Sequence, residues 1–260
     1  MHGMTWSGEN GFMNPFGQDE FRVRFEWGPR GARELAQYCK VVVIVDVLSF
    51  TTAVETAVSQ GAKLYPFRWQ GWQGPGPEDF AREIGAIAAV KRSLVTPEKP
   101  FSLSPQSMLN ASAGMRVVLP SPNGAEVTLA AADSDATVLA GSLRNAGPVA
   151  EAALRIGEPI AVVASGEQWD TSGILRPSFE DLIGAGAIIS ALGAEGLSPE
   201  ARAAAEAYQA VAGEIPTMLA QCSSGRELIG KGYERDVTWA SMLNVSNTVP
   251  ELKESAFVRS

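Results

Sequence analysis

Hydrophobic and polar positions along the chain change their spacing several times, and each change predicts a different element. The segment FRVRFEW, Phe21–Trp27, alternates apolar and charged residues, which is typical of a strand with one solvent-facing side. In VVVIVDV, residues 41–47, apolar side chains occupy both faces, so we expect a strand in the middle of a covered sheet. Thr51 to Gln60 predicts a helix that ends at Gly61, because helices commonly end at a left-handed glycine.

The rest of the chain repeats a strand, a polar turn and a helical segment. The short β-branched runs that predict strands are Met115–Leu119, Ala136–Ala140 and Pro159–Ala164. A helical pattern covers Glu78 to Leu94, and the pattern from Ser178 to the end of the chain is also helical. This alternation predicts an α/β fold, a layered α/β/α arrangement with a largely parallel or mixed sheet and a helical C-terminal part.

The predicted domain organisation is simple. The Gly, Asn and Ser content of residues 1–20 predicts a flexible N-terminal extension, and residues 21–260 contain no linker, so we expect a single α/β domain there. Residues 1–20 lack the pattern of a signal peptide, and no segment approaches the roughly 20 apolar residues of a membrane span. The two cysteines, Cys39 and Cys222, suit a reducing compartment. We therefore expect a cytoplasmic protein with no membrane partner.

Charge and histidine content narrow the chemistry. The 260-residue chain has a net charge of -8 and no basic cluster, which argues against nucleic acid as a partner. Its one histidine, His2, falls in the predicted extension, which nearly excludes catalytic triads and multi-histidine metal sites. Carboxylates acting through a hard cation such as Mg²⁺ remain the natural route to catalysis.

Four predicted strands run into short hydrogen-bonding side chains just before a helix. Beyond the carboxyl ends of parallel strands is where α/β proteins bind ligands, and helix N-termini favour anions. Each turn alone is explained better by helix capping, whereas the four together leave capping and a shared anion site as alternatives. The residues are Asp46, Ser49, Thr51 and Thr52; Ser121, Asn123 and Gly124; Ser142 and Asn145; and Ser165, Gly166 and Glu167.

Glu180 and Asp181 form a second candidate group. They begin a predicted helix, where carboxylates are favoured by the helix dipole. Two roles are therefore possible for them: the start of a helix with Ser178 as N-cap, or a metal site. Gly184 and Gly186 follow, but they lack the spacing of a phosphate loop and are better explained by close helix packing.

Five segments in order resemble the 2-phosphosulfolactate phosphatase family, from about Phe21 to Val258. They are DVLSFTTAVETAVSQGAK, SPNGAE, AGSLRNA, the ASGE turn with FEDLIGAGAI, and SSGRELIGKGYERDVTWASMLNVS. The resemblance implies an α/β fold and Mg²⁺-dependent hydrolysis of a phosphate monoester of a small three-carbon acid, a step of coenzyme M biosynthesis. The positions that match family motifs are Asp46, Asn123, Gly124, Ser142, Asn145, Glu180 and Asp181.

The sequence also departs from the family pattern. Ser49 and Phe50 stand where the resemblance implies Arg-Ala, so the expected cation beside Asp46 is absent. The G-E-R-G-G and G-N-S-P-type segments are not recognisable, and Ser102 and Ser104 in FSLSPQSML are candidates to replace them.

These observations lead to a mechanistic hypothesis. Asp46, with Glu180 or Asp181, would hold Mg²⁺, and Glu167 would orient the attacking water; a covalent phosphate on Asp46 stays open. The substrate-binding candidates are Ser49, Thr51, Thr52, Ser121, Asn123, Gly124, Ser142 and Asn145.

Other assignments are left as alternatives. Arg144 and Arg176 would contact the acid group of a small phosphorylated substrate or lie at the solvated surface. The apolar residues of FSLSPQSML and the helical C-terminal part favour a homodimer. A small-anion-binding protein without catalysis is the alternative function, and a purely structural protein leaves the polar strand ends unexplained.

Overall fold

A nine-stranded mixed sheet organises the computed structural model, which describes residues 14–68, 74–169, 173–193 and 195–260. Its strands are β1 (Val23–Trp27), β2 (Val41–Val45), β3 (Lys63–Arg68), β4 (Ile87–Ala88), β5 (Arg116–Ser121), β6 (Thr137–Gly141), β7 (Ile160–Ala164), β10 (Pro250–Lys253) and β11 (Ala256–Arg259). They lie in the order β1-β7-β2-β6-β10-β11-β3-β5-β4. A separate antiparallel ribbon consists of β8 (Glu167–Gln168) and β9 (Leu175–Arg176).

Helices cover both faces of this sheet, which confirms the predicted α/β class. They are α1 (Gly28–Ala36), α2 (Phe50–Ser59), α3 (Pro77–Ile84), α4 (Pro105–Met108), α5 (Gly124–Ala132), α6 (Ala146–Ile156), α7 (Phe179–Leu192), α8 (Pro199–Val211), α9 (Ile215–Gln221), α10 (Ser223–Gly230) and α11 (Glu234–Ala240). One apolar cluster joins β1, β2 and β7 to α6, α7 and α8, and another joins β2, β6 and β7 to α1 and α5. The sheet is therefore the middle of three layers.

The strand β2 is central, as the apolar run in the sequence predicts. All five of its residues are buried, and it pairs in parallel with β6 on one side and β7 on the other. The carboxyl ends of these three strands therefore lie at one edge of the sheet. Gly184 of α7 packs directly over the end of β2, since a Cβ there would lie 3.0 Å from Val45 Cγ1 and 2.5 Å from Cγ2 of Val47 just beyond the strand. This supports the packing interpretation of the glycine.

The C-terminal residues correct one expectation. The helical pattern holds through α11, but β10 and β11 then form an antiparallel hairpin in the middle of the sheet. This hairpin is antiparallel to both β6 and β3, so it joins two parallel blocks of opposite direction. A strand of the second block, β5, still brings its carboxyl end to the site described below.

Two shorter predictions were wrong. The alternation in β1 does not mark a wet face, because Arg24 is 3% exposed and pairs with Asp19 and the carbonyl of Gly17. The helix predicted from Glu78 to Leu94 ends at Ile84, where Gly85 takes a left-handed φ of 64°, and β4 follows.

The predicted extension and domain are only partly described. Residues 1–13 of the extension lie outside the described residues, whereas Gln18 donates a 2.9 Å hydrogen bond to the carbonyl of Phe25, so residues after 13 pack on β1. The single domain from residue 21 to 260 stays a prediction. Most of the Trp/Gly/Pro segment, residues 69–73, also lies outside the described part.

Two further expectations concern surfaces. Of the large apolar side chains of FSLSPQSML, Phe101 and Met108 are buried in the core of this chain, whereas Leu109 is 41% exposed. The homodimer stays a prediction. Among the helices of the described residues, none is long and apolar enough to cross a membrane.

Candidate active site

The carboxylate of Asp46 joins the ends of two strands. Asp46 follows β2, and its Oδ1 accepts a 3.0 Å hydrogen bond from the backbone N–H of Phe50 at the start of α2. Its Oδ2 accepts a 2.9 Å hydrogen bond from the N–H of Gly124, which begins α5 after β5. Asp46 is 6% exposed. A buried carboxylate with two backbone donors is firmly oriented at this edge of the sheet.

The glycine at position 124 is required by this close approach. A Cβ at Gly124 would lie 2.4 Å from Cδ1 of Phe50 and 2.6 Å from Oδ2 of Asp46. Side-chain atoms cannot come that close without displacing the neighbours. Gly124 therefore contributes its N–H and its lack of a side chain.

Thr51 and Thr52 shape the turn beneath Asp46. The Thr51 hydroxyl donates to the carbonyl of Asp46 at 2.8 Å and accepts from its N–H at 3.0 Å. The Thr52 hydroxyl donates to the carbonyl of Val47 at 2.8 Å. Both side chains are fully buried. They position the backbone around Asp46, which is a different role from the substrate contact expected from the sequence.

The carboxylate of Asp181 connects the turns after β2 and β7 by hydrogen bonds, as that of Asp46 connects the ends of β2 and β5. Its Oδ1 accepts from the N–H of Val47 at 2.8 Å, and its Oδ2 accepts from the N–H of Gly166 at 2.9 Å and the hydroxyl of Ser178 at 2.8 Å. The first turn of α7 thus fastens the turns after β2 and β7. Ser178 lies at the N-cap position, but its hydroxyl donates to a side chain and does not cap the helix.

The carboxyl groups around these turns interact electrostatically. Burial raises the pKa of Asp46 to about 7, and the charges of Glu167 and Glu180 contribute to the increase. Burial also raises the pKa of Glu167, while a hydrogen bond from the side chain of Asn123 opposes the shift. The pKa of Asp181 is raised well above its ordinary value by burial and then by Asp46 and Glu180. The structure therefore brings Asp46, Glu167, Glu180 and Asp181 together with Asn123.

Ser121, Ser142 and Asn145 make backbone or mutual contacts instead. The Ser121 hydroxyl accepts from the N–H of Asn123 at 3.3 Å and so shapes the turn before α5. The hydroxyl of Ser142 donates to Asn145 Oδ1 at 3.0 Å, and Asn145 Nδ2 donates to the carbonyl of Thr248 at 2.9 Å. Ser142 and Asn145 thus fasten the end of β6 to the segment before β10. Their hydrogen bonds do not involve Asp46.

Comparison with known proteins matches the sequence of this chain to a family. The family model described as 2-phosphosulpholactate phosphatase matches residues 29–255, a range that contains β2, β5, β6, β7 and α7. The chain belongs to the 2-phosphosulpholactate phosphatase family.

Several curated relatives support the same assignment, and each is named probable 2-phosphosulfolactate phosphatase. The protein of Carboxydothermus hydrogenoformans is 31% identical over 218 residues, which cover 82% of this chain and 86% of the relative. That of Thermotoga petrophila is 29% identical and covers 85% of this chain and 92% of the relative. That of Thermus thermophilus is 30% identical, with 83% and 89% covered.

Arg92 lies next to Ser49 and supplies a cation that the family pattern in the sequence did not indicate. The Nη2 of Arg92 donates a 2.7 Å hydrogen bond to the Ser49 hydroxyl, and its Nε donates to Asp236 Oδ2 at 3.2 Å. The expectation that this neighbourhood lacks a cation is therefore wrong, because an arginine from a distant segment supplies it. The Lys91-Arg92 pair was the available signal, and it was hidden by the incorrect helix from Glu78 to Leu94.

The two arginines considered from the sequence have different environments. Arg144 is buried, its Nε donates to Glu55 Oε2 at 2.7 Å, and its guanidinium lies 4.1 Å from the ring centroid of Trp239. Arg144 therefore stabilises the fold, and a solvated surface position is wrong for it. Arg176 of β9 lies opposite Glu167 of β8 in the antiparallel ribbon, and its charge lowers the pKa of Glu167. Arg176 therefore lies near the carboxyl groups of the candidate site.

The family resemblance implies Mg²⁺, and the donor atoms present fit a small oxygen-ligated site. Mg²⁺ prefers carboxylate oxygen and keeps several waters, so one or two carboxylates suffice. The charges of Glu167 and Glu180 disfavour the charged form of Asp46, and a cation would relieve this repulsion. Ser165, 2% exposed at the end of β7, has a hydroxyl without a partner in the described residues. Those residues contain no group of three or more His, Cys, Asp or Glu side chains arranged around one metal position.

Proposed function

We propose that this chain is a Mg²⁺-dependent phosphatase that hydrolyses the phosphate monoester of a small acidic metabolite. The specific reaction we propose is 2-phosphosulfolactate to sulfolactate and phosphate, in the cytoplasm and within coenzyme M biosynthesis. The observation that carries the proposal is the buried carboxylate of Asp46, fixed by Phe50 N–H and Gly124 N–H beside Glu167 and Glu180. The names of the relatives support the choice of substrate.

In this proposal Asp46 and Glu180 hold the Mg²⁺ ion. When bound, the ion supplies positive charge that neutralises the phosphoryl oxygens and makes the phosphorus more electrophilic. We assign Asp181 to positioning, because its two oxygens already accept three hydrogen bonds from the neighbouring turns.

Glu167 is the group we propose as general base. It lies on the short ribbon strand β8, and its pKa is raised by burial, so its carboxylate is a stronger proton acceptor than an exposed glutamate. The Asn123 side chain donates to it and fixes its direction. Glu167 accepts a proton from water as the water oxygen attacks phosphorus, the ester P–O bond breaks, and solvent protonates the leaving oxygen.

Phosphate binding is proposed at the turn before α5. Gly124 to Ala132 forms a nine-residue helix, and the first turn of a helix presents backbone N–H groups and partial positive charge. Asn123 and Gly124 at this end are within contact of Glu167 and Asp46, respectively. The transferred phosphoryl group would therefore meet both donors and carboxylates at one position.

A small-anion-binding protein without turnover is the second candidate. It is favoured by one observation, that Ser49 and Phe50 stand where the family pattern has Arg-Ala. Phosphate release from a panel of phosphate monoesters, with Mg²⁺ and with EDTA, separates the two functions. Release that requires Mg²⁺ supports the phosphatase, whereas thermal stabilisation by the same esters without any release supports the binding protein.

A further inference from the structure

A large cavity borders the candidate active site at two points. Its volume is about 1100 Å³. Arg92, which donates to Ser49, lines one part of it, and Pro120 and Pro122, which flank Ser121, line another. Since Asn123 and Gly124 come directly after Pro122, a molecule bound at the proposed phosphate position would lie at the edge of this space.

The volume exceeds what a three-carbon phosphorylated acid fills. Cavities that enclose drug-sized ligands usually measure about 300–1000 Å³, and this one lies just above that range. The three-carbon substrate proposed above would leave most of the cavity to solvent. The cavity therefore has room for longer phosphate esters in addition to that substrate.

The walls of the cavity are rich in cations for an acidic protein. Four basic side chains line it against two carboxylates, although the net charge of the chain is -8. Lys231 is ion-paired with Glu227, whereas Lys91 and Lys99 make no ion pair within the described residues. These two lysines are thus free to meet an anionic group of a ligand.

Arg92 is held rigidly at the inner end of the cavity. Asp236, 2% exposed, accepts from its Nε at 3.2 Å and is itself fixed by the Ser104 hydroxyl at 2.5 Å. The guanidinium also lies 5.3 Å from the ring centroid of Tyr233. Its Nη1 has no hydrogen-bond partner in the described part of the chain, so one donor edge remains for a ligand.

We propose that this cavity is a specificity subsite for a second anionic group, a carboxylate, sulfonate or phosphate, on a phosphate monoester longer than three carbons. The inference rests on the proposed phosphatase function. Arg92 is the inner cation of the subsite, and Lys91 and Lys99 are the outer cations that contact the far end of longer substrates.

The test uses phosphate monoesters of ω-hydroxy carboxylic acids, beginning with phosphoglycolate and lengthening by one methylene at a time. We expect kcat/KM of the wild-type protein to rise with length, mainly through KM. In the double variant Lys91→Ala/Lys99→Ala the ratio of kcat/KM for the best long ester over phosphoglycolate falls about tenfold, as for loss of two partly exposed ion pairs. Lys40→Ala is the matched control, because Lys40 is exposed at the opposite, amino end of β2 and leaves the ratio unchanged.

The single variant Lys99→Glu guards against a folding defect in the double variant and should lower the same ratio further. An unchanged ratio in both variants overturns the subsite. If neither the esters of the series nor 2-phosphosulfolactate release phosphate, the proposed phosphatase function fails, and the subsite is then judged by ligand-induced thermal stabilisation. Stabilisation by long esters that is lost in the double variant supports it, and equal stabilisation of both proteins overturns it.

Discussion

The N–H of Gly124 donates a 2.9 Å hydrogen bond to Oδ2 of Asp46, although the two residues are 78 positions apart. This contact joins the end of β5 to the end of β2 across two oppositely directed blocks of the sheet. It leaves no room for a side chain at position 124, because a Cβ there would lie closer than 3 Å to atoms of both Phe50 and Asp46.

Gly124→Ala should therefore damage both stability and activity. We expect the free energy of unfolding to fall by about 1–3 kcal/mol, the usual range for forcing an extra methyl group into a packed site. Displacement of Asp46 should also lower kcat for phosphate release at least about tenfold. Urea unfolding and steady-state kinetics measure the two effects, and Gly213→Ala is the control, because a Cβ there meets no atom within 4 Å. Equal behaviour of the two variants would show that the close approach is unimportant.

Asp181→Asn separates a positioning role from metal binding. The amide nitrogen would replace an acceptor that serves Val47 N–H or Gly166 N–H, and a buried donor without its acceptor costs about 1–3 kcal/mol. We expect that loss of unfolding free energy, with Mg²⁺ affinity measured by titration calorimetry lowered less than in Glu180→Gln. Exposed Asp135→Asn serves as the control. Unchanged stability together with lost Mg²⁺ binding would instead identify Asp181 as a metal ligand.

Asp236 is expected to act on substrate through Arg92. Asp236→Asn removes the charge that orients the Arg92 guanidinium, so KM for an acidic phosphate ester should rise about tenfold while kcat changes little. Asp236→Glu should recover part of the loss, which a general folding defect would not allow. A parallel fall of kcat with unchanged KM would contradict this positioning role.

The raised pKa of Asp46 gives a dependence of stability on pH. Its pKa is about 7 in the folded protein, whereas the ordinary value, which applies to the unfolded chain, is 3.8. Between these two pH values the folded protein retains a proton that the unfolded chain loses. The folded state then binds more protons, and its stability contribution falls as pH rises from about 4 to about 7 and is constant above that.

Urea unfolding in EDTA across this pH range checks the relation. Wild type should lose stability relative to Asp46→Asn as pH rises to about 7, by roughly 1.4 kcal/mol for each unit of pKa difference. The relative stability should not change further above that pH. A difference between the two proteins that is independent of pH would show that Asp46 has an ordinary pKa in the folded state.

Much of the fold follows from local sequence patterns. The apolar run of β2 predicts its central position, and its parallel pairing with β6 and β7 brings three strand ends together as expected. The C-terminal hairpin escaped detection because β10 and β11 are only four residues each, and their other partners, β6 and β3, are distant in the sequence. Short strands of this kind depend on tertiary contacts more than on a local period.

The sequence predicted the candidate site less well than the fold, again because the deciding contacts are made in three dimensions. Asp46, Asn123 and Glu167 were chosen from turns that end strands, and the structure brings them together. The hydroxyls of Thr51 and Ser142 occur in equally suitable turns, yet they bond to nearby backbone or side-chain atoms. Ser, Thr and Asn serve capping and ligand binding with the same groups, so only the three-dimensional partners distinguish the roles.

The central claim is that Asp46 is required for Mg²⁺-dependent hydrolysis of a phosphate monoester. The decisive measurement is phosphate release from 2-phosphosulfolactate by wild type, Asp46→Asn and the exposed control Asp133→Asn, each with Mg²⁺ and with EDTA. We expect wild type and Asp133→Asn to release phosphate only with Mg²⁺, and Asp46→Asn to be slower by at least about a hundredfold while remaining folded. Equal rates for wild type and Asp46→Asn, or full activity in EDTA, would contradict the claim.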